Sequence, residues 1–187
     1  MNLSNRYSQA MLFAFQLHRR QKRKQTSIPY ISHLLSVSAL VMEHGGNEDQ
    51  AIAALLHDAV EDQGGRPTLR NIAAKFGKKV AKIVDGCTDS YVEPKPPWRK
   101  RKEQYIARLV KEPASVQLVS CADKLHNVRT IIADYRKIGE KLWPRFNGGR
   151  EGSLWYYRSL ANIFVKAKNP IAHEFNLAVS ELERICK

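Results

Sequence analysis

Cysteine is scarce in this chain, with three among 187 residues, at positions 87, 121 and 186. Their odd number and wide spacing exclude a disulfide framework and a Cys-x-x-Cys metal site, so reduced, structural thiols are expected. Long apolar runs are also missing. None approaches the roughly 18–20 residues of a membrane span, and no membrane helix is expected. The opening Met1-Asn2-Leu3-Ser4-Asn5-Arg6 lacks the basic segment, apolar stretch and small-residue cleavage site of a secretory signal, which makes the cytoplasm the expected address. Acidic side chains are few, 18 Asp and Glu against 31 Lys and Arg, leaving a formal charge of +13. Such an excess points to an anionic partner: nucleic acid, a membrane surface or a phosphorylated metabolite. No low-complexity tract, internal repeat or linker divides the sequence. With 43% hydrophobic and 9% aromatic residues, one domain over residues 1–187 is the expectation.

What is present is helical periodicity. Apolar residues recur at three- and four-residue spacing through Met11, Ala14, Phe15 and His18, through Leu34, Val37, Leu40 and Val41, and through Ile52, Leu55, Leu56 and Ala59. Gly45-Gly46 ends one helix, Asn47 with Gln50 caps the next, and Gly64-Gly65 stops it. A short helix follows from Pro67 to Phe76, and another carries Val80, Ile83 and Val84 toward Cys87. Pro94, Pro96 and Pro97 remove backbone donors and fix φ, so 88–98 is read as a loop and a candidate lid. Further helices are expected over about 99–111, 114–135, 154–168 and 170–186, with Asn147-Gly148-Gly149 irregular. No segment reads as a strand, and the predicted fold is a compact all-α bundle of about nine helices.

Chemistry concentrates in Leu55-Leu56-His57-Asp58-Ala59-Val60-Glu61-Asp62, where a helix of small apolar residues abruptly carries four titratable ones. Spacings of three and four put His57, Asp58, Glu61 and Asp62 around one face of a continuous helix. Buried without a partner, these carboxylates would repel one another at low dielectric, and a divalent cation answers that. The competing reading is the solvated side of an amphipathic helix. Against it stand a second histidine, His33, at the start of the preceding helix, and a further acid in Cys121-Ala122-Asp123-Lys124-Leu125-His126-Asn127. Mixed imidazole and carboxylate donors suit manganese, iron or zinc, and an oxygen-rich set with room for water favours manganese over a closed tetrahedral zinc site.

These segments, in this order, resemble the HD-domain metal-dependent phosphohydrolases, and more closely the hydrolase domain of the RelA/SpoT homologues and the free-standing small alarmone hydrolases. The resemblance is carried by Arg23-Lys24 ahead of Ile28-Pro29-Tyr30-Ile31-Ser32-His33, by His57 to Asp62, by Val84-Asp85-Gly86-Cys87-Thr88-Asp89, and by Asp123 to Thr130; it extends through Glu151 to Arg158. It implies an HD-domain fold, with His33, His57, Asp58 and Asp123 as metal ligands, usually for Mn2+, other divalent metals staying open. It implies that Glu61 and Asp62 orient or deprotonate the attacking water and shuttle its proton. Arg23 resembles the arginine that stacks on the base, Lys24 adds contacts, and Asn127 and Thr130 match substrate positions. The loop Gln25-Thr26-Ser27-Ile28 is a residue longer than in the long bifunctional members, and Cys87-Thr88-Asp89-Ser90 lacks their basic residue after the threonine.

The basic runs 19–24 and 95–102 fit a solvated face, a nucleic-acid surface, or a funnel for a polyphosphate nucleotide; the funnel is the reading taken, with Lys102 as a candidate phosphate contact beside Tyr105. His18, His44, His126 and His173 are left outside the site, and Trp155-Tyr156-Tyr157 is read as core, with Tyr156 or Arg158 as alternatives facing the nucleotide. The expected activity is hydrolysis of the 3′-pyrophosphate of guanosine tetra- and pentaphosphate, giving GDP or GTP and pyrophosphate. At 187 residues the chain is expected to carry no synthetase. Two alternatives stay open: the same chemistry on the adenosine counterpart or another 3′-phosphorylated nucleotide such as NADPH, and a basic nucleic-acid-binding module with an inactive site. No membrane partner is expected, and homo-oligomerisation stays open.

Overall fold

The computed structural model describes residues 2–91 and 94–187, so Met1 and the middle of the predicted 88–98 loop, Val92 and Glu93, lie outside the described residues. The all-α expectation is borne out. Among the described residues there are ten α-helices, one a single turn, and a 3-10 helix, with no strand beyond an isolated Lys22–Pro29 bridge.

Helix α1 (Asn5–His18) starts at Ser4, whose hydroxyl accepts from the Arg6 amide. After the short 19–30 loop comes α2 (Ile31–Glu43). Helix α3 (Glu48–Leu56) opens on the expected capping box, in which Asn47 and Gln50 satisfy each other's backbone amides, with Glu48 and Asp49 complementing the positive end of the helix. Ala51 to Leu56 are all fully buried. A helix apolar all round lies in the core, and α3 packs against α1, α2, α6 and α8. Burying Ile52, Leu55 and Leu56 contributes about 1.5–3 kcal/mol each.

The continuous helix expected through Asp62 is corrected here. Helix α3 stops at Leu56, and α4 (Ala59–Asp62) is a separate turn. The reason is local. The His57 ring nitrogen Nδ1 lies 2.8 Å from the Ala54 carbonyl, a neighbour of the Leu56-to-Asp58 bend, and gives that carbonyl a side-chain donor where the helix ladder breaks. The bend presents His57 and Asp58 as two consecutive donors instead of residues on a regular spiral.

Helices α5 (Gly65–Phe76), α6 (Lys78–Cys87) and α7 (Trp98–Leu109) follow. Helix α8 (Ala114–Ile138) is the longest and packs on α2, α3, α6 and α10. The 3-10 helix Gly139–Arg145 was not expected; Leu142 and Trp143 anchor it in the core. Helix α9 (Gly149–Lys166) begins five residues before the expected start, and α10 (Ala172–Ile185) closes the bundle. At the α7–α9 junction Trp98 lies over Gly148 and Gly152, where an added Cβ would come within 2.6 and 3.0 Å of the indole, so a side chain at Gly148 would force the indole to move and one at Gly152 would press on it. No described helix is long and apolar enough to cross a membrane. Cys87, Cys121 and Cys186 are free thiols.

Candidate active site

Three buried backbone elements meet at one point: the first turn of α2, the bend after α3 and the middle of α8. They bring His33, His57, Asp58 and Asp123 together. His33 Nε2 is 3.2 Å from Asp123 Oδ1 and 3.7 Å from Asp58 Oδ2. His57 Nε2 is 3.0 Å from Asp58 Oδ2 and 3.6 Å from Asp123 Oδ1. Both histidine Nε2 atoms are buried without a well-formed hydrogen bond. The histidines' other nitrogens are engaged: His57 Nδ1 on the Ala54 carbonyl and His33 Nδ1 at 2.8 Å from His126 Nδ1. A proton on His57 Nδ1 leaves the Nε2 lone pair facing the carboxylates, the tautomer a metal ligand needs. His33, His57 and Asp58 form a group whose donor atoms all lie within 4.8 Å of one another, and Asp123 closes its fourth side. Two orphaned imidazole nitrogens among two carboxylates fit a divalent cation.

Charge is concentrated at this point. Burial opposes charge on Asp58 and Asp123, yet the adjoining histidines, and Lys124 for Asp123, hold both carboxyls well below their ordinary range. Burial also opposes charge on His57, but the two carboxylates raise its pKa above the ordinary value. Burial, His33 and Arg23 push His126 down to about 4. The Tyr30 hydroxyl donates to Asp58 Oδ2 at 2.6 Å, and Lys124 Nζ donates to Asp123 Oδ2.

Glu61 and Asp62 lie one turn beyond Asp58. Lys95 Nζ donates to Glu61 Oε1 at 2.8 Å and the Asp89 amide donates to Oε2 at 3.3 Å, so the described part of the proline-rich loop covers Glu61. Gln21 Nε2 donates to Asp62 Oδ2 at 2.7 Å. Partial desolvation and the Asp58 and Glu61 carboxylates push Asp62 up to about 6.

Beside the cluster lies a cavity of about 280 Å³, lined by Arg23, Lys24, Tyr30, Asn127, Thr130, Ile131, Asp134, Arg145, Phe146 and Tyr157 among others. Asn127 ties it to the cluster, donating to Asp123 Oδ1 at 2.6 Å while accepting from Arg23 Nη2 at 2.7 Å. The Arg23 guanidinium lies 5.7 Å from the Tyr30 ring centre, and the Thr130 hydroxyl donates to the His126 carbonyl. A second cavity of about 230 Å³ adjoins the first and shares Lys24, Asn127, Phe146 and Tyr157; Lys102 and Lys124 add cationic lining. Lys102 Nζ is 3.1 Å from Asp89 Oδ2, and burial with the neighbouring Lys124 lowers its pKa.

Some expectations need correction. Tyr105 is buried, its hydroxyl 2.6 Å from Ser120 Oγ, and is a core residue. Arg158 turns away to α10, where Glu183, Asn176 and Ser180 take its guanidinium. His126 and His18, left outside by sequence reasoning, adjoin the site. His126 stands three residues after Asp123 on one helix, a spacing that flags it; nothing in the sequence flags His18, whose ring reaches Tyr30 only through the fold.

The HD domain family model matches residues 10–153. The guanosine-3′,5′-bis(diphosphate) 3′-pyrophosphohydrolase MESH1 of Mus musculus is 36% identical over 122 residues, 64% of this chain and 65% of that protein. The guanosine-3′,5′-bis(diphosphate) 3′-pyrophosphohydrolase of Aquifex aeolicus is 37% identical over 120 residues, 64% of this chain and 17% of that protein. The match thus spans less than two thirds of either curated relative. A solved structure of a metazoan ortholog of SpoT, which hydrolyzes ppGpp and plays a role in starvation responses, has a TM-score of 0.77 at 24% identity, covering 98% of this chain and 97% of that one. At that identity the likeness is one of fold.

Proposed function

Because this chain belongs to the HD domain family, we propose that it is a metal-dependent phosphohydrolase, one hydrolase domain over residues 1–187, that releases the 3′-pyrophosphate of guanosine tetra- and pentaphosphate as GDP or GTP plus pyrophosphate. The substrate class comes from the relatives' activity. The observation that carries the reading is the convergence of two unbonded buried imidazole nitrogens with two carboxylates beside a cationic cavity.

His33, His57, Asp58 and Asp123 would hold a divalent cation, which we assign as Mn2+ from the mixed nitrogen and oxygen donors. When bound, such an ion supplies positive charge at the phosphoryl oxygens and a water acidic enough to ionise near neutral pH. Around it, the side chains divide the remaining work. Asp62, with its pKa near 6, is matched to accept a proton from the attacking water, and Glu61 stands beside it as the second carboxylate. Water adds to the phosphorus attached to the 3′ oxygen, that P–O bond breaks, and the leaving 3′ oxygen regains a proton. Arg23 and Tyr30 offer stacking surfaces for the base. Asn127, bonded to both Arg23 and Asp123, keeps base and reacting phosphate in register, while Lys24, Lys102 and Thr130 contact the ribose and phosphates. The cationic lining draws in a polyphosphate by electrostatic steering. The cytoplasm is the proposed address of this activity, in keeping with a soluble nucleotide substrate.

The test is chromatography of products after incubating Mn2+-loaded protein with guanosine tetraphosphate and, in parallel, its adenosine analogue. GDP and pyrophosphate from the guanosine compound are expected, with none after chelation. Cleavage of the adenosine compound alone would overturn the base, and no cleavage of either would overturn the function.

A further inference from the structure

Asp62 sits at the end of α4, a helix of a single turn. Two backbone bonds, Asp62 N to Asp58 O and Gln63 N to Ala59 O, each 3.0 Å, hold that turn. So short an element fixes a side chain poorly by itself. The restraint on the carboxylate comes from elsewhere in the chain, from Gln21 just beyond α1.

The orientation of the Gln21 amide is forced. Its Oε1 faces two donors, His18 Nδ1 at 2.6 Å and Gln63 Nε2 at 2.8 Å. Turning the amide over would set its NH2 against the Gln63 NH2 and its oxygen against the Asp62 carboxylate, so only one orientation satisfies all three neighbours. With Oε1 saturated, Nε2 donates to Asp62 Oδ2 at 2.7 Å. The same bond sets the His18 tautomer, with the proton on Nδ1. His18 is itself packed on its other side: its ring is buried and stacks on Tyr30 at 5.4 Å and 19°. Tyr30 in turn donates to Asp58 Oδ2. One buried imidazole thus braces two branches, one ending on Asp58 and the other on Asp62.

We propose that Gln21, clamped by His18 and Gln63, is a positioning residue that holds Asp62 Oδ2 so that the carboxylate's other oxygen is aimed for proton transfer. The proposal rests on the reading of Asp62 as the proton-handling group. Misplacing a reacting group by about 1 Å costs on the order of 10²-fold in rate, so losing the clamp should slow turnover without weakening substrate binding.

The experiment compares Gln21→Leu, Gln21→Glu, Gln63→Leu and Asp62→Asn as Mn2+-loaded proteins turning over guanosine tetraphosphate, with GDP affinity by calorimetry and thermal melting alongside. Gln21→Leu is expected to lower kcat by about 10- to 100-fold, leaving KM, GDP affinity and melting temperature near wild type. Gln21→Glu, which keeps the shape but sets a carboxylate against Asp62, should be slower still, and Gln63→Leu should show a smaller loss of the same kind. A space-filling role predicts the opposite ranking, with glutamate tolerated better than leucine. That ranking, a loss confined to KM, or a Gln21→Leu kcat within about twofold of wild type overturns the proposal. If Gln21→Leu does not fold, Gln63→Leu is read by the same criteria. Asp62→Asn at full rate would overturn the Asp62 reading and this proposal with it; a slow Asp62→Asn beside a normal Gln21→Leu overturns the positioning role alone.

Discussion

The metal cluster and the cavity beside it are built differently. His33, His57 and Asp123 are buried side chains on helices α2, α3's terminal bend and α8, whose backbones are fixed by the apolar core around Leu34, Leu56 and Leu125. The cavity walls come instead from the 19–30 loop, the 3-10 helix, the second half of α8 and the middle of α9, and most of their polar groups are partly exposed. In the proposed site the ligand cluster thus rests on core packing, while of the proposed substrate contacts Arg23 and Lys24 sit on a loop and Asn127 and Thr130 share α8 with Asp123.

The sharpest way to break that contrast is to remove a ligand. Asp58→Ala or Asp123→Ala should lower turnover by at least about 10³-fold and abolish Mn2+ binding measured by calorimetry; activity surviving both would dissolve the distinction. On the cavity side, Arg23→Ala should raise KM about 10- to 100-fold with kcat within about threefold, because the lost stacking serves ground and transition states alike. A collapse of kcat would show that Arg23 also holds Asn127, and through it Asp123, in place.

A third test concerns Asp89, which links the loop to α7 through Arg101 and Lys102. Burial opposes its charge, but Lys102 and Arg101 hold its pKa below the ordinary 3.8. Its stabilisation is therefore fully present above that value and declines as pH falls toward the depressed folded value. Asp89→Asn should cost about 1–3 kcal/mol at neutral pH, and that cost should shrink progressively as pH falls below 3.8 through the depressed folded value, read from urea melts across pH. An equal loss at every pH would remove the ion pairs from the account. The smallest effect belongs to Gln25, held at φ 55° in the loop ahead of α2. Gln25→Gly should relieve the left-handed backbone and raise stability by up to about 1 kcal/mol without changing kcat.

Much of the molecule was legible before folding. Helical periodicity and the Asn47–Gln50 pair defined most helices, and the residue types at 33, 57, 58 and 123 pointed to a candidate cation site whose side chains the fold does bring together. The break between α3 and α4 was hidden because periodicity runs smoothly through His57, and only the ring's approach to the Ala54 carbonyl reveals it. The 3-10 helix was hidden because its anchors, Leu142 and Trp143, follow no helical repeat. Tyr105 and Arg158 look equally suited to a phosphate site or to structure until their partners, Ser120 and the α10 acids, are known.

The sequence by itself determined the all-helical architecture and the basic charge, and it marked His33, His57, Asp58 and Asp123 as residues of metal-binding type, since spacing, capping and donor chemistry are local properties. Tertiary structure alone decided which atoms meet. His33, Asp58 and Asp123 are far apart in the chain, and the links from His18 through Gln21 to Asp62 and through Tyr30 to Asp58 join elements up to 44 residues distant. Hydrogen bonds reach about 3 Å, and only the packing of α1, α2, α3 and α8 brings these groups within that range.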